Sequence, residues 1–196
     1  GDVDLASADA TLVGEAGGDL AGVPSPVAGD LTGDGLDDIL VGAPAQDAGG
    51  ADAGAVYLVV GPVHGTVNLG SAAAKMVGEN AGDRAGCAVS VAGDVDGDGD
   101  QDVLIGALYH GGNGAEAGAA FLVHGPVSGT SDLSNADARM LGVAAYDRAG
   151  RSVSAAGDVN ADGYADLIVG APGNNDGGTN AGAAYLVSGP ASGTFD

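Results

Sequence analysis

Residues 93–107 read GDVDGDGDQDVLIGA: five aspartates between Asp94 and Asp102 run straight into Val103, Leu104 and Ile105. Carboxylates this close repel one another, and the repulsion would open a tight loop beside an apolar run unless a positive charge sat among them. The same construction occurs twice more, as DLTGDGLDD from Asp30 and DVNADGYAD from Asp158. Aligned, the three loops carry an oxygen-bearing side chain at positions 1, 3, 5 and 9 and glycine at position 6. Hard cations such as calcium take about six to eight oxygens at 2.3–2.6 Å, and alternate side chains of a tight loop can converge on one such ion. Position 7 is Leu36, Asp100 or Tyr164, a freedom that fits a backbone carbonyl as ligand. In a helix-loop-helix calcium hand position 12 is Glu. Here it is Val41, Ile105 or Val169, inside apolar runs, so the loop is read as joining two strands of a hairpin. A turn rich in Asp and Gly that binds nothing is the rival reading for one copy, and three copies in register disfavour it.

The loops belong to a repeat. GD pairs begin at Gly29, Gly93 and Gly157 and GP pairs at Gly61, Gly125 and Gly189, each a step of 64 residues. A fixed period means stacked supersecondary units. In the second unit, strands are expected at 87–92, 102–107, 118–125 and 138–142, separated by turns rich in Gly or Asp. The runs DILVGA, DVLIGA and DLIVGA are apolar through their middles, as strands covered on both faces are. Four-stranded units of this length predict an all-β fold, a β-propeller with three blades' worth of strands per chain. The expected division is an N-terminal fourth strand in 1–14, repeats at 15–78 and 79–142, and a third repeat at 143–196 lacking its fourth strand.

The loop followed by DILVGAP, DVLIGAL or DLIVGAP, and then by GAVYLVVGP or its equivalents, resembles the FG-GAP repeat of the integrin α-subunit β-propeller over essentially the whole chain. The resemblance implies a propeller with a calcium ion in the loop joining the first two strands of each blade, three Ca2+ in this chain. By matching motif it implies as ligands Asp30, Thr32, Asp34, the Leu36 carbonyl and Asp38 in the first loop. In the second they are Asp94, Asp96, Asp98, the Asp100 carbonyl and Asp102, and in the third Asp158, Asn160, Asp162, the Tyr164 carbonyl and Asp166. The chain departs from the family at Ala21, Ala85 and Ala149, where the name has Phe, and at Leu108, where it has Pro. In integrins the aromatics of that region help form the cup for a partner subunit, so an integrin-like heterodimer is not expected.

Composition bounds the function. With 27 acids against five Lys and Arg, a net charge of −22 repels phosphate, and neither nucleic acid nor an anionic membrane is an expected partner. No stretch approaches the roughly 20 apolar residues of a membrane helix, so no membrane insertion is expected. The 45% of hydrophobic residues suffices for a packed core. Cys87 is the only cysteine, which excludes an internal disulfide, and its apolar surroundings read as a buried thiol. His64, His110 and His124 do not recur as histidines at one repeat position and read as solvated loop residues, and calcium claims the regular carboxylates, so no catalysis is expected. Arg84 and Arg148, in the DRAG motifs after Asp83 and Asp147, read as structural ion-pair partners, and Tyr57, Phe121 and Tyr185 as packing between blades. Calcium sites of about 10⁻⁴–10⁻³ M belong to extracellular modules. The expectation is therefore a secreted or cell-surface calcium-binding module for adhesion or for a protein or glycan ligand. The alternatives are a scaffold piece of a longer propeller or a non-catalytic accessory domain of a secreted enzyme.

The repeat also predicts an assembly. GDVDLASADATLVG at the start aligns with GTSDLSNADARMLG at 129–142, the fourth-strand region of a blade. Closed propellers have about four to eight blades, so residues 9–14 are expected to complete the third blade of a second chain in a six-bladed homodimer.

Overall fold

Continuously apolar strands joined by polar turns need cover on both faces, and stacked sheets supply it. The computed structural model describes residues 4–195. Strand β1 (Ala10–Val13) comes first. The first repeat holds β2 (Val27–Gly29), β3 (Asp38–Ala43) and β4 (Ala55–Val59), then β5 (Gly65–Asn68) and β6 (Ala74–Val77). The second holds β7 (Ala85–Gly93), β8 (Asp102–Ala107) and β9 (Ala119–Val123), then β10 (Gly129–Asp132) and β11 (Ala138–Leu141). The third holds β12 (Ser152–Gly157), β13 (Asp166–Ala171), β14 (Ala183–Val187) and β15 (Gly193–Phe195). The strands expected at 87–92, 102–107, 118–125 and 138–142 are thus β7, β8, β9 and β11, and the fold is the expected all-β, propeller-type one.

In the first two blades four strands pair antiparallel in chain order, β2-β3-β4-β6 and β7-β8-β9-β11. A fifth strand was not expected. The polar segments β5, β10 and β15 pair in parallel with β1, β6 and β11, so the first and second blades are each edged by a strand from the following repeat. In the third blade β12, β13 and β14 form a three-stranded sheet.

The core lies between the blades. Leu40, Leu58 and Met76 of the first meet Ile105, Phe121 and Leu133 of the second. Leu104, Leu122 and Met140 of the second meet Leu167 and Val169 of the third. Each such side chain taken fully from water contributes about 1.5–3 kcal/mol. On the near side of the first blade, Leu12 of β1 lies against the cluster of Val41, Tyr57 and Leu69. The far side of the third blade is open: Ile168 and Leu186 are 40% and 55% exposed, whereas their repeat equivalents Leu40, Leu104, Leu58 and Leu122 are all at 0%.

Candidate metal centre

Each acidic loop winds around its own first aspartate. Asp30 accepts backbone N–H bonds from Gly33 and Asp34 on Oδ1 and from Gly35 on Oδ2. Asp94 accepts from Gly97 and Gly99, and Asp158 from Asp162 and Gly163. The position-6 glycines Gly35, Gly99 and Gly163 have φ of +85°, +98° and +97°, and this left-handed turn swings their N–H back onto the position-1 carboxylate. At position 5, Asp34, Asp98 and Asp162 each accept the N–H of the position-7 residue, Leu36, Asp100 and Tyr164 in turn.

In the second loop, Asp94, Asp96 and Asp98 offer oxygens within 4.8 Å of one another. Oxygens held at 2.3–2.6 Å from one ion are separated by at most roughly 5.2 Å, so this donor set fits a hard cation. In the first loop, the Thr32 hydroxyl at position 3 is shut away from solvent with no hydrogen-bond partner, which fits an oxygen ligand of a cation. The third loop is tied differently: the Asn160 amide donates to Asp162 at 2.8 Å, joining positions 3 and 5 directly. The second loop also has a neighbour that the others lack, with His124 Nδ1 lying 3.1 Å from Asp96 Oδ2.

Position 9 has a role that the spacing did not disclose. Asp38, Asp102 and Asp166 are all 0% exposed. One oxygen of each accepts the N–H of loop position 2, from Leu31, Val95 or Val159. The other accepts the N–H of the glycine in the distant Gly-Pro turn, Gly61, Gly125 or Gly189. The residue is a clamp between the acidic loop and the far end of the third strand. Burial pushes the Asp102 carboxyl above its ordinary pKa, against the pull of its two N–H donors. Each oxygen keeps a second lone pair, so clamping leaves room for a cation.

Two further glycines hold the blades together. A β-carbon on Gly42 of β3 would fall on the carbonyl oxygen of Gly86, and one on Gly106 of β8 would fall on that of Gly150. The second strand of the first and of the second blade thus runs against the glycine at the head of the next blade, closer than any side chain permits. Comparison with protein families matches the FG-GAP repeat to residues 22–59, 86–123 and 149–187, more than half of the chain. The chain belongs to the FG-GAP repeat family. No curated protein matches it. The close-packed glycines are the two that the family name spells, so the motif records a backbone contact between successive FG-GAP blades.

Several other polar residues of these repeats make recurring contacts. Arg148 pairs with Glu116 at 2.7 Å and Arg84 approaches Asp52 at 3.9 Å, so the DRAG arginines are ion-pair partners as expected. His110 corrects the sequence reading: it is 4% exposed and is no solvated loop residue. It occupies the repeat position of Gln46 and Asn174, both also buried. In all three the side chain accepts the backbone N–H two residues on, from Ala48, Gly112 or Asp176. His110 then points Nε2 at Glu79, 3.4 Å away, and at Asp83, 4.0 Å away, while Asn174 Nδ2 donates to Asp147. The buried acids Asp19, Asp83 and Asp147 in turn accept the N–H of Ala16, Asn80 and Ala144. Matching by residue type hid this recurring pair, because three different side chains serve one hydrogen-bonding pattern.

Burial pushes the Asp83 carboxyl up, opposed by nearby His110 and by the Asn80 hydrogen bonds. For an acid with a raised folded pKa, the native state holds a proton that the unfolded state has lost, so stability falls as pH rises from about 4 through the folded value. Asp83→Asn is expected to flatten that decline in a pH series of thermal melts, and an unchanged slope would remove Asp83 as its source. Glu15 acts in the opposite sense. Hydrogen bonds from Lys75 and Tyr57 hold it below its ordinary value, so its contribution is present at neutral pH and is lost on acidification.

Proposed function

We propose that the chain is a calcium-binding, extracellular, integrin-α-like propeller module that offers a rigid non-catalytic surface for adhesion or for a protein or glycan ligand. The observation that carries the calcium reading is the convergence of Asp94, Asp96 and Asp98 within 4.8 Å, in a loop whose construction recurs twice. One ion per loop would be held by the side chains of positions 1, 3, 5 and 9 and the position-7 carbonyl: Asp30, Thr32, Asp34, Leu36 and Asp38 in the first loop, and their equivalents in the others. Bound calcium would supply positive charge that screens the carboxylates from one another. The protein's share is to preorganise the donors through the position-6 glycine turn and to tie the loop to the blade through the position-9 clamp. FG-GAP repeats are generally non-catalytic, and the recurring buried polar groups of this chain are occupied with structural bonds, which supports a binding module over an enzyme. Among the described residues no helix is long and apolar enough to cross a membrane.

Calcium titration followed by calorimetry tests the reading. Binding to the native state alone adds about 2.7 kcal/mol per site at a hundredfold excess over Kd, so chelation is expected to lower the melting temperature and calcium to restore it. Magnesium, which demands a smaller octahedral shell, is expected to substitute poorly. No binding heat, together with an identical melt in chelator, would remove calcium from the function. Adhesion is tested separately, by binding of the calcium-loaded chain to immobilised matrix proteins and glycans.

A further inference from the structure

One peptide unit spans two of the acidic loops, and, building on calcium as the ligand of these loops, we propose that through it binding at the third loop strengthens binding at the second. The Ala165 N–H, at position 8 of the third loop, donates at 2.9 Å to the backbone carbonyl of Asp94, position 1 of the second. The carbonyl of the same peptide unit belongs to Tyr164, the position-7 ligand proposed for the third loop. A trans peptide points its N–H and C=O in opposite directions within one plane, and among the described residues the cis bonds are those of the Gly-Pro turns. The two groups therefore face different loops and cannot turn independently.

The Tyr164 side chain adds a second contact at the same place. Its ring edge lies over Gly97, position 4 of the second loop, where a β-carbon would stand 2.6 Å from Cε1 and 3.2 Å from Cδ1. Gly97 has φ of +84° and donates its N–H to Asp94 Oδ1 at 2.7 Å. Ala165 packs against Gly93, just before Asp94, where a β-carbon would stand 2.9 Å from Ala165 Cβ. The third loop thus touches the backbone before Asp94, the carbonyl of Asp94 and the donor to its carboxylate. That carboxylate is the one around which the second loop winds, and it is one of the three converging donors there.

On its own side Tyr164 is tied to the third loop, where its N–H donates to Asp162 Oδ1 at 3.0 Å. Ordering that loop around a cation fixes Tyr164, and with it both the ring on Gly97 and the Ala165 N–H on Asp94. Positive charge at the Tyr164 carbonyl oxygen also polarises the peptide unit and strengthens its N–H as a donor. Both effects favour the arrangement in which Asp94 is positioned to bind. By linkage the reverse holds to the same degree, so occupancy of the second loop favours binding at the third.

The first and second loops lack this link. Gln101, at the repeat position of Ala165, makes no backbone bond to Asp30 among the described residues. Asp100, at the position of Tyr164, brings a carboxylate oxygen to 3.4 Å from where a β-carbon on Gly33 would stand, and no ring. Coupling is therefore expected between the second and third loops and not between the first and second. Repulsion between neighbouring cations acts on both pairs alike, so the difference between the pairs isolates the peptide link.

Calcium titration followed by amide NMR reads each loop separately through its position-6 glycine, Gly35, Gly99 or Gly163, whose N–H bonds to the position-1 carboxylate. Disabling the third loop with Asp162→Asn is expected to move the Gly99 midpoint to about fivefold to tenfold higher calcium and to leave the Gly35 midpoint within about twofold. Asp98→Asn, which disables the second loop, is expected to raise the Gly163 midpoint by the same factor. Tyr164→Ala alters no charge and keeps the third-loop carbonyl, so a rise in its Gly99 midpoint separates the contact from long-range electrostatics. Circular dichroism verifies the fold of each variant. Glycines that shift with calcium while the Gly99 midpoint is unmoved by Asp162→Asn or by Tyr164→Ala would overturn the coupling and leave calcium binding standing, as would equal movements at Gly35 and Gly99. No shift at any of the three glycines would overturn the calcium reading itself, and the coupling with it.

Discussion

Asp102→Ala is expected to lower stability by about 3–5 kcal/mol, the largest single effect of any change in the acidic loops. The reason is the clamp. Removing the carboxylate strands two N–H groups at once, that of Val95 in a buried place and that of Gly125 in a partly buried one. A buried donor left unmatched costs about 1–3 kcal/mol, and charge-assisted bonds lie toward the upper end. For a chain of this size the loss corresponds to a fall in melting temperature of roughly 10 °C. Asp102→Asn keeps one acceptor and turns an amide NH2 toward the other N–H, so about half the loss is expected. Calcium sharpens the comparison. Asp102 is also one of the proposed calcium ligands, so the gap between wild type and variant is expected to widen in calcium and narrow in chelator. A loss under about 1 kcal/mol in calcium would mean that the two N–H groups find other partners.

Gly106→Ala is expected to cost about 3 kcal/mol or more, although it adds one methyl group. The new carbon would occupy the place of the Gly150 carbonyl oxygen, with Ala88 also close, and backbone cannot rotate away as a side chain can. Blades two and three would have to separate, loosening the contact of Leu104, Leu122 and Met140 with Leu167 and Val169. Gly17→Ala is the control, since nothing lies within 4 Å of its added carbon and its backbone is not left-handed. Thermal melts of the two variants separate a packing clash from a general cost of replacing glycine. Equal melts would show that the blades accommodate the methyl.

Much of the architecture was legible because it is written in residue types that repeat. The 64-residue step, the apolar runs that became β3, β8 and β13, and the aspartate spacing all survive as strings, and a string can be aligned. What stayed hidden is written in geometry. The fifth strands GTVN and GTSD are polar and mostly exposed, held by parallel backbone ladders to β1 and β6 that leave no alternation of apolar residues. Asp102 looks like its neighbours in sequence, and only its burial distinguishes a clamp from an exposed ligand. His110, Gln46 and Asn174 share no letter, yet each accepts the same N–H and serves the same buried place. The glycines were visible as a family signature, but the contact that requires them lies between repeats and cannot be seen within one.

The parallel fifth strand also gives the chain a timetable. β6 is covered by β10, whose last residue, Asp132, is made 55 residues after Val77 ends β6. As the chain leaves the ribosome, N-terminal units fold first, but an FG-GAP blade of this kind cannot finish alone: its outer strand stays an open edge until most of the following repeat has emerged. Each nascent blade therefore waits, pairing-competent and exposed, for a fixed stretch of translation. The polar character of β5 and β10 fits that interval, since a segment that emerges before its partner edge is ready gains nothing from being sticky. Growth of the propeller is thus a relay in which every repeat seals the one made before it.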